Sequence, residues 1–348
     1  MTARKWPSPS LADLPAPPPG KTGWPWTEAS PAVPADEAAR LPSITVVVPS
    51  YQQGAFLEET LRSILLQGYP DLEVLVMDGG SKDDTVAVIQ KYEPWIAGWV
   101  SEKDGGQSAA INKGWRRASG QLLTWLNSDD LLLPGWALAM ARAFAADEAL
   151  DLAYCDVHVI DVESRFLWNV EGLAPEVSYT VVMWRTPFFQ QGFLARRRVF
   201  EACGYVDESM HFAMDTELWL RVLLAGRKFA RVPRSLGALR VHPATKTSKM
   251  YRTLIANMFE MTKRFIDSAP PELREVAERA RRRQHWNAAH INYDNRDHVE
   301  ARRSALRHLG DEGWRALPRV AGMVTLSLLG DPGHELLALW RRGKTAVR

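Results

Sequence analysis

Cysteine is scarce in this chain: Cys155 and Cys203 are the two in 348 residues. Both stand in apolar stretches, which fits reduced core thiols and gives neither a disulfide framework nor a cysteine metal site. Net charge is missing too, with 43 Lys+Arg set against 41 Asp+Glu. That balance offers no basic footprint, so no nucleic acid is expected as a partner. No apolar run approaches the ~20 residues of a membrane-spanning helix. The start, Met1-Thr2-Ala3-Arg4-Lys5-Trp6-Pro7, lacks the apolar core of a signal peptide. A cytoplasmic enzyme is the expectation. Two phosphate-binding signatures are also absent. Pro49-Ser50-Tyr51-Gln52-Gln53-Gly54 stands where a dinucleotide fingerprint would follow the first strand, and no Gly-x-x-x-x-Gly-Lys-Ser/Thr occurs.

What is present is a repeated alternation of strand and helix signals. Ile44 to Pro49 reads as a buried strand, Phe56 to Gln67 as a helix, and Leu72 to Met77 as a second strand. A helix over 84–91, a short strand at Trp99–Glu102, a helix over 108–118 and a strand at Leu122–Leu126 follow. That order predicts a mostly parallel α/β sheet with right-handed crossovers. Further on, a helix over 135–146, strand at 152–160 and a hairpin-like stretch at 161–172 are expected. A helix over 215–224, a strand at 228–232 and a separate end at Leu239–His242 come next. The division is a Pro-rich tail (1–40), two halves of one α/β domain (41–150 and 151–247) and a helical C-terminal region (248–348). Trp24 and Trp26 either dock the tail or leave it loose.

Carboxylates mark the strand exits: Asp78, Asp104, then Asn127-Ser128-Asp129-Asp130. In open α/β sheets such exits share one edge, where ligands bind. The glycine pairs Gly79-Gly80 and Gly105-Gly106 suit close approach of a ligand to the backbone. Hard oxygen donors in place of a phosphate nest suggest a cation carrying a diphosphate, Mg²⁺ or Mn²⁺. Taken alone, Asn127–Asp130 fits a helix N-cap with a first-turn acid equally well.

In sequence order, Val46-Val47-Val48-Pro49-Ser50-Tyr51, Val76-Met77-Asp78-Gly79-Gly80-Ser81, Glu102-Lys103-Asp104-Gly105-Gly106-Gln107 and Asn112-Lys113-Gly114 resemble family 2 glycosyltransferases of the GT-A fold. The resemblance continues through Asn127–Asp130, Gly204–Glu208, Asp215–Arg221 and Arg240-Val241-His242, covering about residues 43–245. It implies a Rossmann-like sheet flanked by helices and inverting transfer of a sugar from a UDP-, dTDP- or GDP-sugar to a saccharide or lipid-linked acceptor. Surface polysaccharide or glycolipid assembly at the inner face of a bacterial plasma membrane is the family-level setting. By the same resemblance Pro49, Ser50, Tyr51, Asp78, Gly79, Asp104, Gln107, Asn112 and Ser128 lie with the donor nucleotide. Asp129 and His242 would be metal ligands, joined by Asn127 where the family usually has a first acid. Asp215 matches the catalytic base, preceded here by Met214 instead of the usual Glu.

Gln190 and Gln191 are either acceptor contacts or plain loop residues. Trp184 and Trp219 either stack on sugar rings or, for Trp219, fill the core. The basic run Arg279–Arg283 is a solvated helix face or a contact for acidic lipid. Two other readings stay open. A sugar-nucleotide nucleotidyltransferase would need a cationic loop after the first strand, which Ser50–Gly54 is not. A non-catalytic nucleotide-sugar binder is motivated by Asn127.

Overall fold

The protein is described here by a computed structural model covering residues 6, 8–174, 188–242 and 250–333. The first strand, β1 (Ile44–Ser50), is buried along its whole length, as its β-branched run requires. It pairs in parallel with β2 (Leu72–Asp78) on one side and β4 (Leu122–Trp125) on the other, and β2 pairs with β3 (Gly98–Ser101). Beyond β4 come β8 (Phe193–Arg196), β6 (Leu152–Ile160), β9 (Phe229–Arg240) and β5 (Leu131–Leu132), with the hairpin strand β7 (Phe166–Val170) on β6. Because β8 is antiparallel to both β4 and β6, those two run the same way, and β9 is parallel to β6. The sheet is therefore mostly parallel, with β5, β7 and β8 reversed.

Two elements depart from the sequence expectation, and the start takes one of its two readings. β5 is two residues long, too short to leave a periodic signal. β9 is continuous through Pro233, where the strand was expected to end at Val232. Its register against β6 jumps from Cys155↔Val232 to Asp156↔Ser235, so the proline falls in a bulge that asks no ladder hydrogen bond of it. The proline-rich start is docked: Leu14 and Trp26 are buried, and Trp24 Nε1 donates to the Leu132 carbonyl at 2.9 Å. Its anchor is Arg62 in α1 (Gly54–Leu65), fully buried and 5.3 Å from the Trp26 ring. Arg62 donates to the carbonyls of Pro15 (2.8 Å), Pro25 (3.0 Å) and Trp26 (2.9 Å). A segment without sheet partners thus has its buried carbonyls satisfied by one guanidinium fork.

Helix α2 spans Thr85–Tyr92, and α3 (Gln107–Arg117) lies against β1. Gly114 makes that approach possible. A Cβ there would fall 2.4 Å from Val47 Cγ1 and 2.7 Å from Cγ2. Gly114→Ala is expected to lower stability by about 1–3 kcal/mol through overpacking, seen as a lower urea midpoint with the fold otherwise retained.

Contacts divide the chain into two units. The first holds the described residues up to 174, 188–210 and 217–242; the second holds 211–216 and 250–333. Residues 41–150 and 151–242 share the one sheet. The second unit contains α7 (Tyr251–Ser268), α8 (Arg274–Asp294), α9 (His298–Glu312) and α10 (Leu317–Leu329), the numbers α4 to α6 belonging to Trp136–Ala146, Arg197–Cys203 and Met214–Leu224. Its core is small-residue packing of Ala289, Ala301, Ala305 and Ala316 around Tyr293, Val320 and Met323. The basic run on α8 is largely paired: Arg279 with Glu275 (2.9 Å), Arg281 with Glu278 (3.0 Å) and Arg282 with Glu312 (3.6 Å). Arg279 and Arg281 stay about half exposed within these pairs.

Candidate active site

The parallel register sets the exits level. Ser50 pairs with Asp78, and Asp78 with Ser101. Leu126 N donates to the Val47 carbonyl, so Asn127–Asp130 leaves the sheet at the same edge. The three predicted carboxylate exits therefore converge on one crevice.

On the β2 side, Asp78 is buried and its carboxylate accepts hydrogen bonds from Gly80 N, Ser81 N, Ser81 Oγ and Ser101 Oγ. These contacts shape the Gly79–Ser81 turn, in which Gly80 sits at φ +83°. Gly79 lies between Tyr51 and Asp104: a Cβ on it would be 3.3 Å from the Tyr51 ring and 3.3 Å from Asp104 Oδ1. Tyr51 is 61% exposed, leaving an aromatic face open at the crevice. Pro49 and Ser50 end β1, and Ser50 Oγ is buried without a hydrogen-bond partner. Asp104 Oδ1 accepts from Gly106 N at 2.8 Å. Beside Asp104 an open cleft of about 400 Å³ is lined by Gly105, Ala109, Lys113, Arg116, Arg117 and Glu208.

Two residues expected at the nucleotide have their side chains engaged within the chain. Asn112 is buried and clamps the 204–208 loop, donating to Val206 O (2.8 Å) and Glu208 Oε1 (2.8 Å) and accepting from Val206 N. Gln107 Nε2 donates to Asn127 Oδ1 at 2.7 Å. Asn127 in turn donates to Asp130 Oδ2 at 3.1 Å, so the oxygen expected to face a metal is turned to Gln107. Ser128 is buried, its carbonyl 3.0 Å from the Thr60 hydroxyl, which is also 2.8 Å from the Asp130 carbonyl.

Asp129 and Asp130 divide the work. The side chain of Asp129 is partly open, with Oδ2 at 3.4 Å from His242 Nε2. The imidazole lies 5.0 Å from the Phe56 ring. Asp130 is 1% exposed and accepts from Arg240 N, Gln190 Nε2, Gln191 Nε2 and Asn127 Nδ2. Burial, reinforced by the Asp129 charge, pushes its carboxyl up from the ordinary range, and the donors from Arg240, Gln191 and Asn127 pull the other way. Gln190 and Gln191 are thus buried beside this loop, each with its Nε2 on Asp130 Oδ2. Trp219 stacks 5.9 Å from Trp125 and packs on Phe188 and Phe193 as core. Trp184 lies outside the described residues.

The residue the sequence reading undervalued is Arg240. It is fully buried under the acidic loop, and Nε donates to the Asp129 carbonyl at 2.7 Å. Its other nitrogens reach Asp161 O, Val162 O, Ser164 Oγ and Glu59 Oε2, the last at 3.0 Å. Glu59 is buried in α1 and also accepts from Ser164 Oγ at 2.7 Å. A buried Glu at helical spacing amid Leu57 and Leu61 was the available signal.

Asp215 is the second residue of α6 and is grouped with the second unit. Its Oδ1 accepts from Thr216 N at 2.7 Å. Two residues earlier Ala213 is held at φ +55°, a conformation that costs about 1–3 kcal/mol for a non-glycine residue and clusters at functional sites.

A mostly parallel sheet with an acidic loop leaving β4, and a histidine two residues past β9 beside it, defines a GT-A-type α/β fold. The mannosyltransferase PcManGT from Pyrobaculum calidifontis, solved with GDP-Man and Mn²⁺, shares that fold at TM-score 0.57 and 21% identity, covering 91% of this chain and 86% of that one. S. aureus TarS does so at TM-score 0.56 and 17% identity, over 79% of this chain and 50% of that one. Residues 45–206, somewhat under half of the chain, match the description "Glycosyl transferase family 2". An uncharacterized glycosyltransferase of Rickettsia typhi is 27% identical over 191 residues, 52% of this chain and 59% of that protein. The GalNAc(5)-diNAcBac-PP-undecaprenol beta-1,3-glucosyltransferase of Campylobacter jejuni is 35% identical over 99 residues, 27% of this chain and 32% of that protein. The chain thus spans less than two thirds of these relatives' lengths.

Proposed function

We propose that this protein is an inverting glycosyltransferase that moves a sugar from a nucleotide diphosphate sugar to an acceptor hydroxyl. The observation that carries this reading is the Asp129–His242 pair, 3.4 Å apart at the crevice where Tyr51, Gly79 and Asp104 also meet. The open Tyr51 ring suits a nucleobase, and Asp104 a ribose or base donor. A carboxylate beside an imidazole suits a divalent cation, Mn²⁺ or Mg²⁺. Among the described residues no three His, Cys, Asp or Glu side chains converge as a metal cage. Two protein donors leave the remaining positions to diphosphate oxygens and water, the usual way such cations bind.

When bound, the cation would offset charge on the departing diphosphate. Asp129 and His242 would hold it, while Asp130, Arg240 and Glu59 fix the loop. Asp215 would accept the proton of the attacking hydroxyl. The saccharide or lipid-linked acceptor, assembly of a surface polysaccharide or glycolipid, and a place at the inner membrane face belong to this proposal. The Campylobacter relative, named for a lipid-linked acceptor, supports it.

The test is a thermal-shift screen of UDP, GDP, dTDP and CDP with and without Mn²⁺. One nucleotide should raise the melting temperature by a few degrees near saturation, and Mn²⁺ alone should not. His242→Ala should remove the Mn²⁺-dependent part and leave the metal-free part. Nucleotide binding with no nucleoside diphosphate release from any sugar donor would leave the non-catalytic binder in place of the transferase.

A further inference from the structure

The exposed side of α10 carries an uncommon pattern. From Trp314 to Gly330 there is no acidic residue, and the cations are Arg315 and Arg319. Val320, Met323 and Ser327 turn inward onto the helical core. Leu317 and Leu328 are eleven positions apart, which at 3.6 residues per turn puts them on one line, roughly a quarter turn round from the inward residues. They are 53% and 70% exposed, Leu329 beside them is 46% exposed, and Trp314 just before the helix is 80% exposed. A helix apolar well round from its inward side is normally buried there too. Here one side faces out, with an indole and two arginines at its start.

We infer that this face of α10 docks on an anionic lipid bilayer. Leucines and an indole are the groups that enter the headgroup–acyl boundary, and arginines flanking them suit acidic headgroups. The absence of any carboxylate on the segment is the charge complementarity that favours a negative surface over a generic apolar partner. No described helix is long and apolar enough to cross a membrane, so the contact is peripheral. It rests on the inner-membrane placement proposed above and gives it a physical contact; it is tested without any donor, so its failure leaves the sugar-transfer reading standing.

The experiment is co-sedimentation of the full chain with phosphatidylcholine vesicles, with and without phosphatidylglycerol. Binding should need phosphatidylglycerol and weaken with added salt. Trp314→Glu/Leu328→Glu should cut the bound fraction about tenfold or more, while melting like the parent, since both side chains are exposed. Arg279→Gln/Arg281→Gln should bind as the parent does. The inference is overturned by no binding to either vesicle, or by binding that survives the first double variant. It is equally overturned by loss of binding in the second. A dimer seen by sedimentation without vesicles and split by Leu328→Glu would assign the face to a second copy of this chain.

Discussion

Arg240→Met should lower unfolding stability by about 3–5 kcal/mol, the usual result of stranding one partner of a buried ion pair. The guanidinium is fully buried and serves five acceptors, among them Glu59 and the Asp129 carbonyl. Methionine fills similar volume and supplies none of those donors. Glu59 then holds a buried charge with only the Ser164 hydroxyl for company. The companion variant Glu59→Gln/Arg240→Met removes that charge and should recover a sizeable part of the loss. Urea unfolding of the two variants decides the matter. Equal midpoints for Arg240→Met and the parent would mean that the acidic loop is held by something else.

Asp215→Asn should reduce turnover by about 10²–10⁴-fold, the typical contribution of a positioned general base. The amide keeps the size of the carboxylate and loses only the capacity to take a proton. Asp215 begins α6 beside the strained Ala213, and its carboxylate already turns to Thr216 N, as a helix-start acid does. Cap and base roles are compatible, so stability should change little while the chemical step slows. The measurement is nucleoside diphosphate release under saturating donor, with the nucleotide thermal shift as a control for binding. Near-parent turnover would remove Asp215 from the role. A lost thermal shift would mean that the substitution disturbs donor binding instead.

Much of the first unit was legible because its strands are continuous apolar runs broken by glycine and acid. Ile44–Ser50, Leu72–Asp78 and Leu122–Trp125 sit within a residue or two of their expected bounds. Parallel pairing then brings the exits together, so Asp78, Asp104 and Asp129 could be grouped before any coordinates. What stayed hidden depends on contacts far apart in sequence. Arg62 and Arg240 look like ordinary helix and strand arginines, and only burial against distant carbonyls reveals their work. The acceptor–donor direction of Asn127 is likewise set by Gln107, twenty positions away. The sequence reading ended the strand at Val232, before Pro233, because a bulge opposite Cys155 and Asp156 leaves no local mark.

The docked start has a consequence for how the chain is made. Residues 14 to 26 leave the ribosome before their hydrogen-bonding partners exist. Arg62 must emerge before Pro15, Pro25 and Trp26 have a donor. Trp24 waits for Leu132, 108 positions later. Long loops must close before such contacts form. This stretch is therefore seated late, as a clasp on partners that are made after it.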